Sequence, residues 1–272
     1  MAISSQKLWR QLKSRKDLFL IAGPCVIESE ALCLKVARSL RDKCAGLGVT
    51  YVFKASYDKA NRTSGRTRRG LGLDAGLEIL AKIQEKVGVP VLTDVHTEAQ
   101  AVAVAEVVDV IQIPAFLCRQ TDLVEAAVKT GAIVNLKKGQ FLSPTEMGQV
   151  VKKATDAGGQ KLLVTDRGTT FGYNNLVADM RALSVMKDFG FPVVFDATHS
   201  VQMPGAGGDC SAGNGEFAPV LANSAVAAGA DGVFIETHPD PAKAWSDGAN
   251  MIPLRDMSRV LKRLVKIHEA AR

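Results

Sequence analysis

Four residues of this 272-residue chain have side chains that together suit a divalent metal: Cys25, His199, Glu236 and Asp247. One thiolate, one imidazole and two carboxylates match a borderline ion such as Zn²⁺, Fe²⁺ or Mn²⁺. The same residues equally suit a small buried thiol and a hydrogen-bonded core histidine, and spacing alone leaves both readings open. A second set is cationic: Lys54, Lys59, Arg62, Lys137 and Arg167. Converging cations bind phosphates and carboxylates, with arginine offering two parallel donors. Asn61, Asp94, Gln112 and Gln140 fall among them.

These residues need a scaffold that collects distant positions at one face. Short apolar runs at 18–23, 50–54, 89–93, 108–113, 132–137, 161–165, 192–196 and 232–236 alternate with longer helical patterns. The runs are continuously apolar, as strands buried on both faces are. Eight strands alternating with about eight helices predict an α/β fold, a closed single-domain (β/α)8 TIM barrel. Residues 1–16 precede the first strand as a terminal cap. Ser29 is a fitting N-cap before Leu32, Val36 and Leu40. Ser143-Pro144-Thr145-Glu146 reads as a capping box with proline at the first helical position, and the last helix is expected at 254–270. An open doubly wound sheet is the rival, but Gly23-Pro24-Cys25 after strand one is not its glycine-rich turn. In a barrel the polar residues listed above all fall at or beyond the C-terminal strand ends, where such enzymes keep their sites. Strands seven, eight and one become neighbours on closure, which gathers Cys25, His199 and Glu236.

The formal net charge is +6 and aromatic residues make up only 6%. A basic surface attracts nucleic acid or small anions. Without basic runs interleaved with aromatics, small anions are the better reading. Five cysteines, an odd number without a CxxC, point to a reducing cytoplasm. The apolar run 18–22 is too short for a signal core or a membrane span. The basic run 62–70 offers a phosphate clamp at its start. The glycine-rich run 205–215 suits a lid that excludes water.

Longer motifs extend this reading. They are Ile21-Ala22-Gly23-Pro24-Cys25-Val26-Ile27-Glu28-Ser29, Phe53-Lys54-Ala55-Ser56 with Lys59-Ala60-Asn61-Arg62-Thr63-Ser64, Thr93-Asp94-Val95-His96, Lys137-Lys138-Gly139-Gln140-Phe141, Asp166-Arg167-Gly168, Asp196-Ala197-Thr198-His199-Ser200 and Glu236-Thr237-His238-Pro239. With these, from about residue 18 to 255, the chain resembles the 3-deoxy-D-manno-octulosonate 8-phosphate synthases. The resemblance implies condensation of phosphoenolpyruvate with D-arabinose 5-phosphate and release of inorganic phosphate. It implies phosphoenolpyruvate contacts at Lys54, Gln112, Ala115, Lys137, Gln140 and Arg167. Lys59, Asn61, Arg62 and Thr63 would hold the pentose phosphate, and Asp94 would lie near the sugar. Arg119 would reach that phosphate from a neighbouring subunit of a homotetramer. Lys54, Lys59, Asn61, Asp94 and His199 are the expected catalytic residues. The family has metal-dependent and metal-independent branches, and Cys25 resembles the metal-dependent one. Two positions depart from the pattern. Gly215 stands where an arginine is common, and Leu71 where proline is. The sibling 3-deoxy-D-arabino-heptulosonate 7-phosphate synthases use erythrose 4-phosphate, and Lys59-Ala60-Asn61-Arg62 argues against them. A non-catalytic sugar-phosphate carrier is the rival from another class.

Overall fold

The computed structural model describes residues 4–60, 68–205 and 212–272. The apolar runs form eight parallel strands: β1 Phe19–Gly23, β2 Thr50–Lys54, β3 Val91–Asp94, β4 Val110–Ile113, β5 Ile133–Lys137, β6 Leu162–Asp166, β7 Val193–Asp196 and β8 Gly232–His238. Each pairs with the next, and β8 pairs back onto β1 with Phe19 opposite Gly232 and Gly23 opposite Glu236. That last ladder closes the barrel and rules out an open sheet.

Several strands start one or two residues later than the apolar runs. The run at 89–93 contains Pro90, which has no N–H to give a ladder, and regular pairing begins at Val91. β8 continues past Glu236 to His238 because Thr237 and His238 pair with the short strand Ile252–Pro253.

Nine α-helices occur among the described residues: α1 Ser5–Lys13, α2 Glu30–Ala45, α3 Leu73–Val87, α4 Glu98–Ala105, α5 Thr121–Lys129, α6 Met147–Asp156, α7 Arg181–Lys187, α8 Ala218–Ala227 and α9 Met257–Ala270. The Ser29 hydroxyl accepts from the Leu32 N–H, capping α2. Ser143 and Glu146 exchange both capping-box hydrogen bonds. Residues 144–146 nevertheless form a tight turn, and regular α6 starts at Met147. The last helix likewise starts at Met257, three residues later than its pattern suggests, after a turn closed by Asp256 N–H to the Pro253 carbonyl.

Two cores result. The larger lies between sheet and helices. The smaller fills the barrel interior with Phe19, Ile21, Val52, Leu92, Val110, Ile133, Leu163, Val194 and Phe234, and Leu8 and Leu12 of α1 join it. The barrel is thus packed solid at one level, and the charged residues of its strands lie toward their C-terminal ends.

Candidate active site

The site begins where β1 and β2 end. A Cβ on Gly23 would lie 2.0 Å from the Lys54 carbonyl, so only glycine lets the two strands approach this closely. Beyond it the strands stay joined, Ser56 N–H to Cys25 carbonyl and Ile27 N–H to Ser56 carbonyl. Cys25 and Lys54 are thereby fixed side by side. Lys54 is 1% exposed. Its Nζ donates to the Cys25 carbonyl at 2.9 Å and to Glu236 Oε1 at 2.5 Å.

Cys25, Glu236 and Asp247 present ligand atoms all within 4.8 Å of one another. Cys25 Sγ donates to Asp247 Oδ2 at 3.1 Å. Burial, then the Glu236 charge, push the Cys25 thiol well above its usual range. Asp247 has φ 54, a left-handed conformation that aspartate tolerates better than most residues. Ser246 Oγ and Gln202 Nε2 donate to its two oxygens at 2.5 and 2.7 Å. Burial opposes ionisation of Asp247, but His199, Lys59 and the hydrogen bonds from Ser246 and Cys25 hold it well below the usual carboxylate range. His199 stands just outside the compact trio, its Nε2 3.7 Å from Glu236 Oε2. Its Nδ1 is 2.8 Å from Asp196 Oδ2, which leaves Nε2 directed at the cluster. One sulfur, two carboxylates and this imidazole are a donor set that fits a borderline divalent ion.

The cations ring the same mouth. Lys137, Gln112, Gln140 and Arg167 are all buried. Lys137 Nζ lies 2.5 Å from Asp196 Oδ2 and 3.8 Å from the centre of the Phe234 ring. Burial lowers the Lys137 pKa, and Asp196 opposes that fall. Arg167 Nη2 donates to the His199 carbonyl at 3.1 Å and to Gln202 Oε1, while Nη1 reaches Gln140 Oε1 at 3.4 Å. Burial tends to discharge Lys59, but Cys25, Glu236, Asp94 and Asp247 more than offset it and raise its pKa. Asp94 accepts from Ser56 Oγ and lies 3.3 Å from His96 Nε2. Burial resists its charge, and His96 and Lys59 together keep it well below the usual range. Ala115 is buried in a short 3-10 turn after β4.

Other expected residues fall elsewhere. Arg119 is exposed, two residues before α5, and its carbonyl accepts from Lys153 Nζ. Asn61, Arg62 and Thr63 lie outside the described residues. So does most of the glycine-rich run, including Cys210. Cys33 and Cys44 lie on the buried face of α2, their thiols pushed up to about 12 by burial. A Cβ at Gly215 would lie 2.5 Å from the Ala249 carbonyl, so a side chain there requires the backbone to move. Leu71 is 40% exposed in its loop.

Sequence reading missed the counter-charges. Asp196, fully buried, holds both Lys137 and His199, and Gln202 joins Arg167 to Asp247. Asn135 Nδ2 donates to Gln112 Oε1 and Thr165 Oγ1 donates to Asn135 Oδ1, fixing the Gln112 amide from below. Asp196 opens the motif around His199, and an acid two or three residues from a candidate ligand was the one available signal.

A packed barrel whose strand ends join buried cations to a thiol–carboxylate corner defines an anion-binding barrel enzyme. Residues 10–272 match the DAHP synthetase I family, and the chain belongs to it. The 2-dehydro-3-deoxyphosphooctonate aldolase of Dechloromonas aromatica (strain RCB) is 57% identical over 259 residues, covering 94% of this chain and 93% of that relative. Its namesake in Acidithiobacillus ferrooxidans (strain ATCC 53993 / BNL-5-31) is 59% identical over 249 residues, 92% and 89% of the two chains. That of Rhodopseudomonas palustris (strain BisB5) is 59% identical over 256 residues, 94% and 89%. Among the described residues no helix is long and apolar enough to cross a membrane.

Proposed function

We propose that the protein condenses phosphoenolpyruvate with D-arabinose 5-phosphate and water, giving 3-deoxy-D-manno-octulosonate 8-phosphate and inorganic phosphate, for lipopolysaccharide synthesis. The observation that carries this is the ring of buried cations beside the thiol–carboxylate corner, in a chain similar over nearly its whole length to enzymes of that name.

Phosphoenolpyruvate carries a carboxylate and a phosphate and needs several buried positive groups. Lys54, Lys137 and Arg167 supply them, with Gln112, Gln140 and the turn at Ala115 completing the contacts. The Gln112 amide oxygen is already engaged by Asn135, so its NH₂ is the end left to donate to the anion. Lys59, Asn61, Arg62 and Thr63 are assigned to the pentose phosphate, and Asp94 to the sugar hydroxyls. In the reaction the methylene carbon of phosphoenolpyruvate bonds to the aldehyde carbon and the aldehyde oxygen gains a proton. Water adds at C2 and the bond from C2 to the phosphate oxygen breaks. The methylene carbon is a weak nucleophile, so holding both substrates in attack geometry is the main contribution of the cationic ring. Lys54, Lys59 and His199 are the groups placed to hold or move protons at the aldehyde and the attacking water.

Cys25, Glu236, Asp247 and His199 would hold a divalent ion, Zn²⁺, Fe²⁺ or Mn²⁺, which when bound would polarise or orient an oxygen at this corner. We place the enzyme in the cytoplasm, in keeping with the unpaired thiols of Cys25, Cys33, Cys44 and Cys118. We also propose a homotetramer in which Arg119 serves a neighbouring subunit. Exposed Phe116, Phe141, Phe171 and Tyr173, on the loops after β4, β5 and β6, support an interface there. Small-molecule partners suffice, with no role for nucleic acid or a membrane. Phosphate release from phosphoenolpyruvate with arabinose 5-phosphate, and sedimentation for the tetramer, test these readings. No release with any aldose sinks the first, and a monomer at micromolar concentration sinks the second.

A further inference from the structure

One buried cation takes no part in the site described above. Lys138 follows Lys137 and is fully buried. Its Nζ donates to the carbonyls of Gly168 at 3.0 Å and Leu142 at 3.1 Å and to Thr169 Oγ1 at 3.1 Å. The Gly139 carbonyl and Asp166 Oδ1 each lie at 3.4 Å. Five oxygens around one ammonium make the shell that a monovalent metal ion would take, built here with a tethered cation.

The cage draws on two chain segments. Gly139 and Leu142 belong to the segment after β5, and Asp166, Gly168 and Thr169 to the end of β6 and the segment beyond it. Gln140 sits in the first and Arg167 in the second. Lys138 N–H to the Thr165 carbonyl and Thr170 N–H to the Gln140 carbonyl join the same segments, both at 2.8 Å. Without a cation at the centre, three carbonyl dipoles and the Asp166 carboxylate would face one another in a dry space. Such a cluster costs more than its hydrogen bonds return.

We propose that Lys138 is a positioning residue, a built-in monovalent cation that holds Gln140 and Arg167 in the geometry that binds the phosphoenolpyruvate anion. This rests on the reading of Gln140 and Arg167 as phosphoenolpyruvate contacts. Buried ammonium groups that serve packing alone lose stability when removed, whereas this one should also lose substrate affinity and regain it from a free cation.

The test is chemical rescue in the full-length enzyme. Lys138→Ala should raise KM for phosphoenolpyruvate about tenfold or more while kcat falls less than about threefold. Ammonium or methylammonium chloride at roughly 50 mM should restore most of kcat/KM by filling the cage. Tetramethylammonium chloride at the same ionic strength, too large for the cage, should not. An unchanged KM, or a raised KM that ammonium leaves raised, overturns the proposal. If Lys138→Ala does not fold even with ammonium, Thr169→Val decides. It removes one cage oxygen and should raise the same KM about two- to fivefold, and no change overturns the proposal. The wild type is measured alongside. Failure of the wild type to release phosphate counts against the function itself, whereas an active wild type with an indifferent variant counts against Lys138 alone.

Discussion

Replacing Asp196 by asparagine removes one negative charge and almost no volume from a fully buried position. Asp196 Oδ2 lies 2.5 Å from Lys137 Nζ and 2.8 Å from His199 Nδ1, so the change takes the counter-charge from a buried lysine. Breaking a buried ion pair on one side costs about 3–5 kcal/mol, and asparagine, still able to accept a hydrogen bond, should fall near the lower figure. At about 2–4 °C per kcal/mol for a chain of this size, Tm should drop by about 6–12 °C. The catalytic signature is more specific. Burial already lowers the Lys137 pKa, and Asp196 is what resists that fall. With Asp196 neutralised the pKa drops further, and Lys137 loses its proton at a lower pH. Since the charged form is the one that binds anions, the alkaline limb of kcat/KM for phosphoenolpyruvate should move toward acid by about one pH unit or more. Thermal melts and pH–rate profiles of both proteins measure this. A Tm within about 1 °C of wild type together with an unmoved alkaline limb would refute the role given to Asp196.

Three further outcomes follow from the site. Arg167→Lys loses the fork that spans His199, Gln140 and Gln202, and KM for phosphoenolpyruvate should rise about 10–100-fold in steady-state assays. Asp94 has a folded pKa held below its unfolded value of about 3.9, so its contribution to stability is present above that pH and fades as pH falls below it. Asp94→Asn should therefore melt lower than wild type at neutral pH, and the gap should narrow toward pH 2, as read by Tm against pH. Cys25→Ser should cut bound divalent metal from about one per chain to well under half in elemental analysis, because sulfur is the soft donor of the set.

The barrel was legible in the sequence because parallel strands covered on both sides leave continuous apolar runs. Closure through β8 and β1 also made it possible to bring Cys25 and Glu236 together on paper, and Gly23 opposite Glu236 bears that neighbourhood out. The candidate metal corner was only partly legible. Cys25, Glu236 and Asp247 converge, while His199 stands back, held by Asp196. Asp196 and Lys138 stood in the motifs without a role, and Gln202 stood in none, for a common reason. Each acts on a partner from another strand end, Lys137 for Asp196, Arg167 for Gln202 and Asp166 for Lys138, and pairing across strands leaves no spacing pattern in the chain. A lysine after a strand looks the same whether solvated or caged, and Lys138 is caged. Strand starts were misjudged where a proline, with no N–H to give the ladder, lies inside the apolar run, as at Pro90 before β3.

The central claim is most directly tested by one comparison: phosphate release from phosphoenolpyruvate by the purified protein with arabinose 5-phosphate and with erythrose 4-phosphate, at equal and saturating concentrations. The account predicts faster turnover with arabinose 5-phosphate and an eight-carbon phosphorylated product. Faster turnover with erythrose 4-phosphate, or no phosphate released with either, would contradict it.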